Sequence, residues 1–202
     1  MDYAKARTMM IDSQVRCNDV PDLGLQTALR QIPRELFVVP ERAGLAYAEL
    51  EHPTPSGRVL WKPRDFAKLA QAAGVLPGDR VLVIGGAGGY SAAVFAAMGA
   101  VVTVLDDRAV ALAGVTAVTG PLDSPPAGPF DVVFVDGAVG VIPAAWSQVL
   151  TPHGRLCLVK VEGPVGRAYV ITHTGGGTTA RPVFDALPPR LPGFEPAPAF
   201  SF

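Results

Sequence analysis

The 202-residue chain is sparing with several residue types, and each scarcity removes a class of function. It has two cysteines, Cys17 and Cys157, far apart and in no CxxC pair. That supports neither a disulfide framework nor a thiolate metal site, so both read as reduced packing residues. Its three histidines, His52, His153 and His173, are scattered without ligand-like spacing, and no metal is expected. Charged residues make up only 17% of the chain, and the formal net charge is -1. Without a basic field there is no electrostatic basis for binding nucleic acid. No apolar run approaches the ~18–20 residues of a membrane span. The opening MDYAKARTMMIDSQVR lacks the apolar core of an export signal, which points to a cytoplasmic protein. What the chain does have is apolar residues, 49%, and length enough to bury a core.

Local patterns divide the chain. Met9, Met10 and Ile11 fit a short helix near Val15. Leu25, Leu29 and Ile32 form a one-faced stripe, with Asn18 or Asp19 as the starting cap and Pro33 as the limit. From Val38 to Pro63, proline, glycine and turn residues predict an extended segment. RDFAKLAQAAGVLPGDR predicts a helix with Phe66, Leu69, Ala70 and Ala73 on one face, closed by Gly74. Then VLVIG, VVTVLD, GVTAVTG, FDVVFVDGA and RLCLVKV read as strands, with YSAAVFAAMGA and IPAAWSQVL as helices and TPHG as a turn. This alternation predicts an α/β, doubly wound sheet with a crevice at the carboxyl ends of its strands. AYVITHTGGGTTARPVFDA adds a hairpin around a glycine turn, and a proline-rich tail follows from Pro188. The expected organisation is one domain: residues 1–75 a helical, substrate-side segment, 76–165 the cofactor-binding core, and 166–202 the hairpin and tail.

The stretch RVLVIGGAGGYSAAVFAAMGAVVTVLDD carries the chemistry. Gly85, Gly86, Gly88 and Gly89 let backbone approach a ligand, and the next helix offers unpaired N–H groups. Asp106 or Asp107 ends the second strand. Gly86 to Asp106 spans 20 residues, the offset expected of an acid that accepts from ribose hydroxyls. The bland alternative is a tight turn with solvated aspartates. A nicotinamide dinucleotide would need Gly86, Gly88 and a small residue at 91, where Ser91 is a near miss. S-adenosylmethionine sites tolerate more variation in the loop.

Three stretches, in order, resemble the protein-L-isoaspartate O-methyltransferase family: IPRELFVVPERAGLAYAEL, LPGDRVLVIGGAGGYSAAVFAAMGAVVTVLD and PFDVVFVDGAVGVIPAAWSQVLTPHGRLCLV. The resemblance runs from about Arg7 to Val161. It implies a Rossmann-like methyltransferase fold with N-terminal helices and a C-terminal hairpin extension. It also implies S-adenosylmethionine as cofactor, isoaspartyl protein or peptide as partner, and a role in protein repair. An ionised carboxylate attacking a sulfonium methyl needs no strong base, so such an enzyme works by positioning. By position, Gly85, Gly89 and Tyr90 match the family loop, and Gly86 and Gly88 stand where Thr and Ser are usual. Asp106 falls on the ribose acid. Val83 replaces a glutamate, and Pro121 an acid beside the adenine. Val59 and Trp61 stand for the Thr and Ser that contact substrate, so the catalytic residue is left unassigned. Trp61 is expected to pack, with stacking on a ligand as its functional alternative. Arg58 is expected as a solvated surface residue, with attraction of an acidic substrate as the alternative. Asp136 is expected at the crevice, as a cofactor or substrate contact or as a loop cap. The reading is a methyltransferase with altered or reduced activity. Its rivals are an inactive scaffold on the same fold and a nicotinamide oxidoreductase.

Overall fold

The structure is a computed structural model that describes residues 2–86, 88–174 and 177–195. The centre of the predicted glycine turn in the hairpin and the end of the proline-rich tail lie outside those residues.

Helix α1 (Tyr3–Met10) continues into a π-helical turn, Ile11–Val15. Met10, Ile11 and Val15 are buried, whereas Met9 is 59% exposed. Each helical residue turns the side chain by about 100°, so three consecutive apolar residues cannot all face inward. Helix α2 (Leu23–Gln31) buries Leu25 and Leu29, but its cap is Asp22 rather than Asn18 or Asp19. The Leu25 N–H donates to the Asp22 carboxylate at 2.9 Å, while Asp19 adopts a left-handed conformation. Asp22→Ala is expected to cost about 1 kcal/mol, read from the urea midpoint.

The segment from Val38 to Pro63 is less extended than predicted. A 3-10 turn at Pro40–Leu45 begins where proline presets φ, and a small hairpin of β1 (His52–Pro53) and β2 (Val59–Leu60) follows. Helix α3 (Pro63–Ala73) buries Phe66, Leu69, Ala70 and Ala73 and closes on Gly74 at φ +58°.

The central sheet contains β3 (Arg80–Ile84), β4 (Val101–Asp106), β5 (Thr116–Thr119), β6 (Phe130–Val139), β7 (Leu150–Glu162), β8 (Val165–Thr174) and β9 (Gly177–Asp185). Their order is β5-β4-β3-β6-β7-β8-β9; the first five run parallel, and β8 and β9 add antiparallel. Helix α4 (Tyr90–Ala97) joins β3 to β4. Helix α5 (Ala144–Gln148), shorter than the predicted IPAAWSQVL, joins β6 to β7. Between β4 and β5 the chain crosses without a helix. The predicted TPHG turn is absorbed as an irregular start to β7, with His153 at φ +72°.

Alternation along the strands makes two cores. Val81, Val83, Val104 and Phe134 face α1 to α4 and Trp61. Leu82, Ile84, Leu105, Val133 and Val135 face Trp146 of α5 together with Leu191 and Phe194 of the tail. Cys157, on β7, is buried, and that burial pushes its thiol up to about 12.

Candidate functional site

Strands β3 and β6 are parallel neighbours whose continuations leave toward opposite faces, α4 on one and α5 on the other. Their carboxyl ends therefore part, and an open α/β sheet offers its ligand crevice at such a switch point. The expected loop stands there. Gly85 has φ +77° and Gly89 φ +78°, conformations that side chains resist.

On the β6 side, the pairing with β7 slips between Phe134 and Ala138, which turns Asp136 toward the loop. Ser91, in the first turn of α4, donates its hydroxyl to Asp136 Oδ2 at 2.5 Å. Burial pushes the Asp136 carboxyl up to about 6, helped by the nearby Asp106 charge and opposed by Ser91, Arg34 and Arg58. Because this folded value lies above the ordinary 3.8, the native state holds the proton more tightly. The group's contribution to stability is complete below its ordinary value and is lost as pH rises through about 6. Asp136→Asn should flatten that fall, a change of about 3 kcal/mol, measured by denaturation across the range.

The ribose acid is differently engaged from the expectation. Arg58 is not solvated: it is 6% exposed, and Asp106 is fully buried. The Arg58 fork donates from Nε to Oδ2 at 3.1 Å and from Nη2 to Oδ1 at 2.8 Å. Nη2 also reaches Asp107 at 2.5 Å, and the Arg108 N–H donates to Asp106 Oδ1 at 2.9 Å. The turn before β2 aims this arginine. Thr54 donates to the Arg58 carbonyl through both its N–H and its hydroxyl, Gly57 takes φ +79°, and Arg108 donates to the Ser56 carbonyl. Asp106 thus receives charged donors from the protein where ribose hydroxyls were expected.

The remaining candidates lie as follows. Tyr90 is 2% exposed, its ring against Phe37 and Phe66 with the buried Arg34 guanidinium 4.8 Å from its centroid. It faces the core rather than open crevice. Gly86 lies over Val83, and Gly88 faces Thr54 and Leu60. Trp61 is 2% exposed and packs 6.2 Å from Phe134, while its carbonyl accepts from Arg34. Val83 is fully buried on that same face. Pro121 lines a small cavity of about 190 Å³ with Asp107 and Phe194. A larger one, about 370 Å³, lies between Phe37, Ser56, Gly88 and Val110.

One participant had no signal in the sequence. Leu191, 3% exposed, is wedged between the two strand ends. A Cβ on Gly85 would come within 2.7 Å of it, and one on Gly137 within 2.6 Å. Leu191 thus fills the space beside Gly85 and Gly137, whereas Gly88 and Gly89 line the open 370 Å³ cavity. With Asp106 clamped, Val83 apolar and Leu191 in the slot, S-adenosylmethionine fits the crevice only once the Arg58 fork and Leu191 give way.

Comparison with known proteins is concordant at the level of the whole chain. Residues 8–117 match the family model described as protein-L-isoaspartate(D-aspartate) O-methyltransferase. A protein-L-isoaspartate O-methyltransferase of Methylorubrum extorquens is 35% identical, over 84% of this chain and 79% of the relative. One from Koribacter versatilis is 32% identical over 91% and 88%. Among solved structures, a protein-L-isoaspartate O-methyltransferase superposes with a TM-score of 0.75 at 20% identity, covering 94% of this chain and 65% of that longer one. A Plasmodium falciparum candidate for the same enzyme, in complex with S-adenosyl-L-homocysteine, gives 0.74 at 16% identity over 92% and 97%. The architecture is the α/β Rossmann-like fold of S-adenosylmethionine-dependent methyltransferases, with N-terminal helices and a C-terminal sheet extension.

Proposed function

This chain belongs to the protein-L-isoaspartate O-methyltransferase family, and we propose that within it the chain is a self-closed member. It keeps the methyltransferase fold, but isoaspartyl methyl transfer is strongly reduced. The observation that carries this reading is the Arg58 fork on a fully buried Asp106. A ribose would have to displace charge-assisted hydrogen bonds, which are the stronger kind. The acceptor side supports the same conclusion. The position matching the family's substrate serine is a core tryptophan, Trp61, which offers no hydroxyl to a peptide carboxylate.

A second reading is favoured by the loop itself. Gly85 and Gly89 keep their left-handed conformations, and α4 starts directly behind them without a side-chain cap. On this reading the chain methylates isoaspartyl carboxylates in the cytoplasm once the crevice opens, as a repair enzyme would. The decisive assay supplies an isoaspartyl peptide and labelled S-adenosylmethionine, beside an active family member as control. We expect no transfer above the protein-free blank. Transfer comparable to the control would establish the second reading and end the first.

A further inference from the structure

Residues 189–194 lie across the switch point as a strap, bridged in parallel to Ala138 at Arg190 and turning at Pro192 and Gly193. Ala138 donates its N–H to the Pro189 carbonyl at 3.0 Å, and Leu191 donates back to the Ala138 carbonyl at 2.9 Å. Gly140 and Val141 both donate to the Phe194 carbonyl, at 2.8 and 2.9 Å. The Phe194 ring rests on Trp146, centroids 5.1 Å apart, and the Trp146 indole N–H is tied to the Leu122 carbonyl. The strap thus continues the sheet just beyond the irregularity in β6 and places Leu191 between Gly85 and Gly137.

We propose that this strap is a displaceable internal competitor: it and a nucleoside-bearing ligand such as S-adenosylhomocysteine take the same crevice and exclude each other. This rests on reading the crevice as the family's cofactor site. Three observations carry it. First, the slot is formed by two residues without side chains on opposite strand ends, and it admits Leu191 with no room to spare. Second, the strap forms one wall of the 190 Å³ cavity through Pro192, Gly193 and Phe194, with Asp107 and Pro121 on the other side. Withdrawing it would merge that cavity with the slot into one longer crevice. Third, its hold is thin for a buried strand. Pro189 and Pro192 have no N–H to give, and among the described residues four backbone hydrogen bonds tie the strap to the β6 extension, one of them donated by the strap, from Leu191. By contrast, β7 and β8 are paired through eight successive positions.

Competition makes the ligand's apparent dissociation constant the intrinsic one divided by the fraction of open molecules. The test is a calorimetric titration of the full chain with S-adenosylhomocysteine, for wild type, Leu191→Ala and Phe194→Ala. Amide hydrogen exchange is followed with and without ligand. Each substitution should tighten binding, by roughly tenfold or more. Saturating ligand should speed exchange at the amides of Ala138, Gly140, Val141 and Leu191 while the β7–β8 amides keep their protection. If Leu191→Ala fails to fold, Phe194→Ala and the wild-type exchange data carry the test. Equal affinities in all three proteins would overturn the proposal. So would ligand binding that leaves those four amides protected, or no binding in any of the three. Efficient isoaspartyl transfer by the wild type would refute the self-closed reading of function, yet the competition would still be measurable in these titrations.

Discussion

Arg58→Ala is expected to lower the unfolding free energy by about 3–5 kcal/mol. The reason is what it leaves behind. Asp106 has no exposed surface, and its carboxylate receives both arms of the Arg58 fork. Removing the arginine takes the paired guanidinium away from a buried carboxylate that keeps the Arg108 N–H. Removing both charges is a different experiment. Arg58→Leu with Asp106→Leu takes away the desolvation cost along with the attraction, and should recover stability to within about 2 kcal/mol of wild type. The unpartnered Arg108 N–H accounts for part of the remaining deficit. Urea denaturation of the three proteins decides. Single and double variants destabilised alike would mean that packing of the arginine stem, rather than charge, is what matters. The loss in the single variant should also resist added salt, since a pair this deeply buried is poorly screened.

The second large effect concerns Trp61. Its indole is 2% exposed, next to Phe134, and its Nε1–H has no hydrogen-bond partner among the described residues. Trp61→Ser restores the residue type that the family uses for substrate, but here it should cost about 3–5 kcal/mol of stability. It should yield no isoaspartyl transfer, because the hydroxyl would replace core packing rather than line a cleft. Trp61→Phe keeps an aromatic ring and removes the unsatisfied donor, so a change within about 1 kcal/mol is expected. Denaturation midpoints and the transfer assay read both. A serine variant that is stable and active would show that the indole blocks a real pocket.

The strands, their order of appearance and the glycine loop were legible because they are written in local patterns: continuous apolar runs, glycines at a strand end, an acid at a fixed offset. Gly74 as a helix end and the inward face of α3 follow from the same local rules. What was not legible depends on contacts between distant residues. Arg58 reads as a surface residue in GRVLWKP, and only the turn at Gly57, which carries it 48 positions to Asp106, makes it a core cation. Leu191 lies between prolines in a tail with no periodicity, so no pattern announces that it ends between Gly85 and Gly137. The helix cap stands three or four residues beyond the expected Asp19 or Asn18 because Asp22 is an equally able cap. Geometry, which puts Asp19 in the left-handed region, chooses among them. At the candidate site, the residue types were foreseeable. Their partners were not.

The two thiols make the chain its own stability reporter. Cys17 is exposed and open to alkylating reagents at any time, whereas Cys157 is sealed in β7 with a thiol too weakly acidic to react in place. Under native conditions one equivalent of label should go on at once. The second should follow only as fast as the central sheet comes apart, so its rate clocks that opening without denaturant.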